Sequence, residues 1–189
     1  MTVFGTHVPI SSWTLVALVA GCLVSVPLAK LLAARTGWGR NATLTTLILL
    51  AAGLAITLTP GEDSGFSEFH PCLSIGTADP IDGLLHSGGG LGGTLLNALL
   101  PLPLTCAATL ATERALPTLL FAFLLPALIE PLQMLIPGRY CSLSDQAANT
   151  VGAVLGVTLG YLLLRRASRH GSDDATPEQA HDQGRGDAR

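Results

Sequence analysis

The side chains able to do chemistry are concentrated in one stretch of the 189-residue chain, IEPLQMLIPGRYCSLSDQAANTVGAVLG, which starts at Ile129. Glu130 and Gln133 are three apart and share a helix face. Asp145, Asn149, Gly152 and Gly156 follow at spacings of four, three and four, which is again one stripe of a helix. Arg139 lies in the short connection between these two segments, and Asn97, from an earlier segment, reaches the same face. Three kinds of chemistry fit this set. Glu130 and Asp145 form a carboxylate pair in which burial of one could make it an acid while the other acts as base, with His86 at the rim. Arg139 could pair with a phosphate or carboxylate, and Asn97, Gln133 and Asn149 could orient its polar substituents. The same groups could also satisfy one another and do nothing but hold helices together. No nucleophile elbow, HExxH, phosphate loop or metal-ligand spacing is present, so no metal or cofactor is expected. His7 and His70 read as solvated loop residues.

The elements that must position these residues are membrane spans. Hydrophobic residues make up 49% of the chain, charged residues only 12%, and mean hydropathy is +0.51. Five apolar runs, 13–33, 43–59, 91–111, 117–136 and 147–164, each have 17 to 21 residues, the length that suits a helix crossing about 30 Å of hydrocarbon. The fold class expected is all-α, a polytopic transmembrane bundle of about five spans. The first run is not a cleavable signal, because its basic residues follow it. Lys30, Arg35, Arg40, Arg114, Arg165, Arg166 and Arg169 fall on one side and Arg139 alone on the other. The positive-inside rule then puts the N-terminus out and the C-terminus in. Trp13 and Trp38 flank the first run as interfacial anchors. No basic patch carries interleaved aromatics, which excludes a nucleic-acid footprint.

The organisation follows. Residues 1–166 form the membrane domain, and 167–189 form a hydrophilic cytoplasmic tail whose composition predicts disorder. The segment 60–90 is an external loop with five acids and no basic residue, long enough to serve as a lid or substrate entrance. Cys22 and Cys106 lie inside apolar runs as packing residues. Cys72 and Cys141 fall in the two external loops, where an oxidising compartment permits a disulfide between them. Gly152, Gly156 and Gly160 form a small-xxx-small series for close helix packing, through which oligomerisation is also open. Pro126 and Pro131 should bend the fourth span, and Pro101 and Pro103 the third.

The pattern E-x-x-Q, then R, then D-x-x-x-N-x-x-G resembles the signature of the VanZ-like membrane proteins. It is carried here by Glu130, Gln133, Arg139, Asp145, Asn149 and Gly152. The upstream family element, N-x-x-x-F-x-P-x-G, is half kept: Asn97 and Pro103 match, Pro101 stands where Phe is usual and Thr105 where Gly is usual. The resemblance covers about Asn97 to Leu163. Cys141 is similar to what actinobacterial members carry, in keeping with the Ala, Leu, Gly, Thr and Arg bias of the chain. The resemblance implies a multi-pass protein of the bacterial cell membrane. It also brings an association with low-level resistance to the glycopeptide teicoplanin, which acts outside the membrane on cell-wall precursors.

Four readings follow, in different classes. The first is a site at the outer leaflet that binds or handles a cell-envelope lipid, a lipid-linked cell-wall precursor or a glycopeptide-type antibiotic. The second is an outer-leaflet enzyme using the Glu130 and Asp145 pair. The third is a purely structural polar cluster. The fourth, a transporter, is disfavoured by the absence of an internal repeat and of charges at mid-membrane. The expected partners are membrane lipids, with no nucleic acid.

Overall fold

A computed structural model describes residues 2–3, 6–7, 11–58, 90–133, 135–136 and 143–173. A two-residue antiparallel pairing comes first, β1 (Thr2–Val3) with β2 (Thr6–His7). Six helices follow among the described residues: α1 (Ser12–Thr36), α2 (Arg40–Leu58), α3 (Gly90–Leu99), α4 (Pro101–Thr112), α5 (Ala115–Gln133) and α6 (Leu143–Asp173). Helices α3 and α4 form one broken span, so five segments are long and apolar enough to cross a membrane. The chain is an all-α, multi-pass bundle.

Local chemistry sets the helix ends. Ser11 caps α1: its hydroxyl accepts from the Thr14 amide at 3.3 Å, and the Thr14 hydroxyl accepts from the Ser11 amide at 3.2 Å. Each bond satisfies a donor that the first helical turn leaves orphaned. At the other end Gly37 takes φ +75° and its amide closes on Ala33, a conformation open to glycine without steric cost. The break between α3 and α4 falls at Leu100–Pro101, where proline lacks the amide needed to continue the ladder. Pro126 and Pro131 instead lie within one continuous α5, as Pro27 does in α1.

Helix α6 packs on α3, α4 and α5, and α4 also packs on α2, while α1 packs chiefly on α2. The third and fifth spans are therefore central: 39% and 33% of their apolar windows are buried, against 11% for the first. Leu15, Val19, Leu23 and Leu28 of α1, and Leu120, Phe123, Leu124 and Leu128 of α5, are exposed, as lipid-facing side chains should be. Lipid tails remove the hydrophobic drive between such helices, so close backbone approach must supply the association. The glycine stripe does this. A Cβ on Gly152 would run into the Ala98 carbonyl, and one on Gly156 into the Leu102 carbonyl and the Thr105 hydroxyl. On Gly160 it would lie 2.8 Å from the Thr109 Cβ. One face of α6 thus lies directly on the broken third span. At the α1–α2 contact, a Cβ on Gly21 would meet the Ala51 Cβ at 2.6 Å.

Helix α6 continues to Asp173, beyond residue 166, where the membrane domain was expected to end. Just before that extension, the exposed Arg165 guanidinium stacks on the Tyr161 ring, one turn back, at 4.6 Å.

Candidate functional site

Alternation of the five spans brings the C-terminal ends of α2 and α5 together with α3 and the N-terminal end of α6. The basic residues Arg35, Arg40, Arg114, Arg165 and Arg166 fall at the opposite end. Where α2, α3, α4, α5 and α6 meet, they leave a cavity of about 60 Å³. Asn97, Gln133, Asp145 and Asn149 all line it. Four of the six polar residues expected to converge therefore do share one space, contributed by the third, fourth and fifth spans. The floor and walls are apolar, with Leu50, Leu104, Leu125, Pro126 and Ile129 among them.

Two cross-helix hydrogen bonds organise the polar groups. The Asn97 side chain is hydrogen-bonded to the Asp145 carboxylate. A carboxylate accepts but cannot donate, so the amide is the donor, and this links α3 to α6. The Gln133 Nε2 donates to the backbone carbonyl of Thr57 at 3.1 Å, linking α5 to α2. Thr57 lies in the last turn of α2, where backbone carbonyls have no intrahelical donor, so its carbonyl is available to Gln133. Next to Asp145 in sequence, the Gln146 side chain is buried at both Nε2 and Oε1 with no hydrogen-bond partner among the described residues. Buried amides are normally satisfied, and leaving one unmet costs about 1–3 kcal/mol. A cavity of about 60 Å³ is well above the ~10–15 Å³ needed to admit a water, and its polar lining can bond one.

The remaining expectations divide by position. Glu130 is a helical residue of α5, but its side chain lies outside the described structure, and so do Arg139 and His86. The expected Cys72–Cys141 disulfide likewise falls outside the described residues. Cys22 and Cys106 are free thiols, each half-buried. Two polar groups at this end of the bundle were not anticipated from sequence, the Thr57 carbonyl in the cavity and the buried Gln146 amide. A carbonyl acceptor has no side-chain signature at all. Gln146 stood beside Asp145 in the sequence and could have been marked as a buried amide.

The profile of the VanZ/LLP1 family matches residues 59–165. The chain belongs to that family. No curated protein and no solved structure matches it. The VanZ/LLP1 segment begins just past α2 and takes in α3, α4, α5 and most of α6. It therefore contains Asn97, Gln133, Asp145 and Asn149, whereas the cavity wall from Leu49 to Thr57 is built by residues ahead of it. Family membership and the five apolar helices together make this a multi-pass protein of the bacterial membrane.

Proposed function

We propose that this VanZ/LLP1 protein binds the polar end of an amphiphilic cell-envelope molecule, a lipid or lipid-linked precursor, in the Asn97–Gln133–Asp145–Asn149 cavity. The observation that carries the reading is the meeting of four polar side chains from three spans around a space among apolar walls. Ligand sites share this plan, a few convergent polar groups in an apolar cleft. The Gln146 amide, one residue beyond Asp145 at the start of α6, is buried without a hydrogen-bond partner among the described residues. At about 60 Å³ the space suits a phosphate, hydroxyl or amide, not a whole glycopeptide. An effect on teicoplanin would then pass through its lipid-linked target rather than through capture of the drug.

The positive-inside rule supports an outer-leaflet position, because the basic residues cluster at the opposite end of the bundle. Arg139 is assigned the anionic group of the ligand, for which a guanidinium offers paired donors. The amides of Asn97, Gln133 and Asn149 are assigned its neutral substituents. Asp145, held by Asn97, keeps a negative group in place and so favours a ligand that also carries donors.

The test is the lipid that co-purifies with the protein. Mass spectrometry of extracts from wild type and from an Arg139→Ala, Asp145→Leu double variant should show one envelope lipid class enriched over bulk membrane, and that enrichment lost in the variant. A wild-type extract with the composition of the surrounding membrane would overturn the reading.

A further inference from the structure

A second and larger cavity, about 350 Å³, lies at the arginine-rich end of the bundle, away from the polar site. Its walls come from α1, α2, α4 and α5, with Leu47, Leu50, Ala108, Ala111 and Phe121 in its apolar lining and Trp38 and Arg114 also lining it. The volume falls within the range of about 300–1,000 Å³ typical of small-molecule sites. Four threonines also line it, yet each hydroxyl is turned back to its own chain. Thr43 donates to Gly39 at 3.0 Å, Thr46 to Ala42 at 2.8 Å, Thr112 to Ala108 at 2.9 Å and Thr118 to Arg114 at 2.8 Å. Threonines satisfied in this way offer mainly their methyl groups to the cavity.

What remains polar is the guanidinium of Arg114. It is exposed, and no ion pair engages it among the described residues. Trp38, half-buried in the connection from α1 to α2, stands at the same level. An arginine and a tryptophan at the end of the spans, above an apolar cleft between helices, match the two parts of an anionic phospholipid. One acyl chain fills the cleft towards Leu50, and the phosphate meets the arginine. We infer that this cleft is a binding site for an anionic phospholipid of the membrane, with Arg114 as its headgroup contact. Charge complementarity selects that occupant over a zwitterionic lipid or a second copy of the chain. The neighbouring Arg35 and Arg40 are also exposed and add positive potential at this end. Much of the cleft, from Leu32 to Leu50, lies ahead of the family segment, so the site belongs to this chain's own α1 and α2.

The chain has two tryptophans, which supplies the test. In a Trp13→Phe variant Trp38 is the one indole, and it sits on the cleft. The variant is reconstituted into phosphatidylcholine vesicles carrying increasing fractions of phosphatidylglycerol or phosphatidylcholine with brominated acyl chains. Brominated phosphatidylglycerol should quench Trp38 at about five-fold lower mole fraction, the preference one surface arginine confers. Adding Arg114→Gln should abolish that preference, Arg114→Lys should retain most of it, and Thr46→Phe, which fills the cleft, should weaken quenching by both lipids. In the reciprocal Trp38→Phe variant, Trp13 at the other end should show no preference. Equal quenching of Trp38 by the two lipids would overturn the inference, and so would a preference that survives Arg114→Gln. Neither result bears on the polar cavity, which has its own readout.

Discussion

The Thr105 hydroxyl donates to the Ala153 carbonyl at 3.0 Å, across the contact between α4 and α6 and between the two closest glycine approaches. Thr105 is almost wholly enclosed, 1% exposed. The Pro101 carbonyl of its own helix lies at the same 3.0 Å, so the single hydroxyl proton is shared between the turn after the break in the third span and the facing backbone. A glycine here could approach α6 but could not make that bridge. In this chain, contact at the break combines a glycine stripe on one side with a threonine bridge on the other.

Gly156→Ala should therefore destabilise the bundle by about 1–3 kcal/mol, the usual cost of forcing atoms into a packed contact. The new methyl would collide with both the Thr105 hydroxyl and the Leu102 carbonyl. Combining it with Thr105→Gly removes the first collision and leaves the second, so the double variant should recover only part of the loss. Thermal unfolding in detergent across this cycle measures the coupling. Strict additivity would show that the two helices separate to accommodate the change.

The Asn97–Asp145 bond should respond in the same way. Asn97→Leu leaves the Asp145 carboxylate without that donor, and Asp145→Leu leaves the Asn97 amide without that acceptor. Each single change should cost about 1–3 kcal/mol, and the double less than the sum of the two. The interaction energy should fall near the ~0.6 kcal/mol average for cross-helix bonds in membranes, with ~1.7 as the upper bound. A vanishing coupling would mean that the two side chains do not share a bond in the bilayer.

The five spans and the residues of the polar cavity could be read from the sequence because both depend on patterns that a one-dimensional string preserves. Length and apolarity define a span whatever its neighbours are. Spacings of three and four put Asp145 and Asn149 on one face, and the proline at 101 marks the break. Helix α6 beyond Leu164 was hidden for a related reason. Hydropathy reports the end of the membrane, whereas Arg165, Arg166 and Ala167 are good helix formers that carry the ladder on to Asp173. The Thr57 carbonyl, the Gly21–Ala51 contact and the Thr105 bridge depend on which helices become neighbours. Threonine inside an apolar run looks like any small residue until its partner is known.

Glu113 offers a local test. It is the non-glycine residue with positive φ, 56°, among the described residues, and its amide closes α4 onto Thr109 at 2.8 Å. Left-handed backbone costs a residue with a Cβ roughly 1–2 kcal/mol. Part of the gain from glycine is offset by the greater freedom of the unfolded chain. Glu113→Gly should thus raise stability by a net ~0.5–1 kcal/mol, seen as a higher unfolding temperature. No change would indicate that the Thr112–Thr118 hydrogen bond at 3.2 Å, and not the backbone angle, governs this turn.

Gln146 distinguishes a ligand-bearing end of the bundle from one that is merely packed. Its amide is buried at both polar atoms without a partner among the described residues, so in the protein alone an apolar replacement removes a penalty. Gln146→Leu should stabilise the delipidated protein in detergent by about 1 kcal/mol, the lower end of what an unmet buried amide costs. If the amide meets the polar end of a bound envelope molecule, the sign reverses once that molecule is present. Adding back the co-purifying lipid should then raise the unfolding temperature of wild type more than that of Gln146→Leu, since only wild type gains the bond. Equal shifts in the two proteins would place the amide outside the ligand's reach and confine the site to Asn97, Gln133, Asp145 and Asn149.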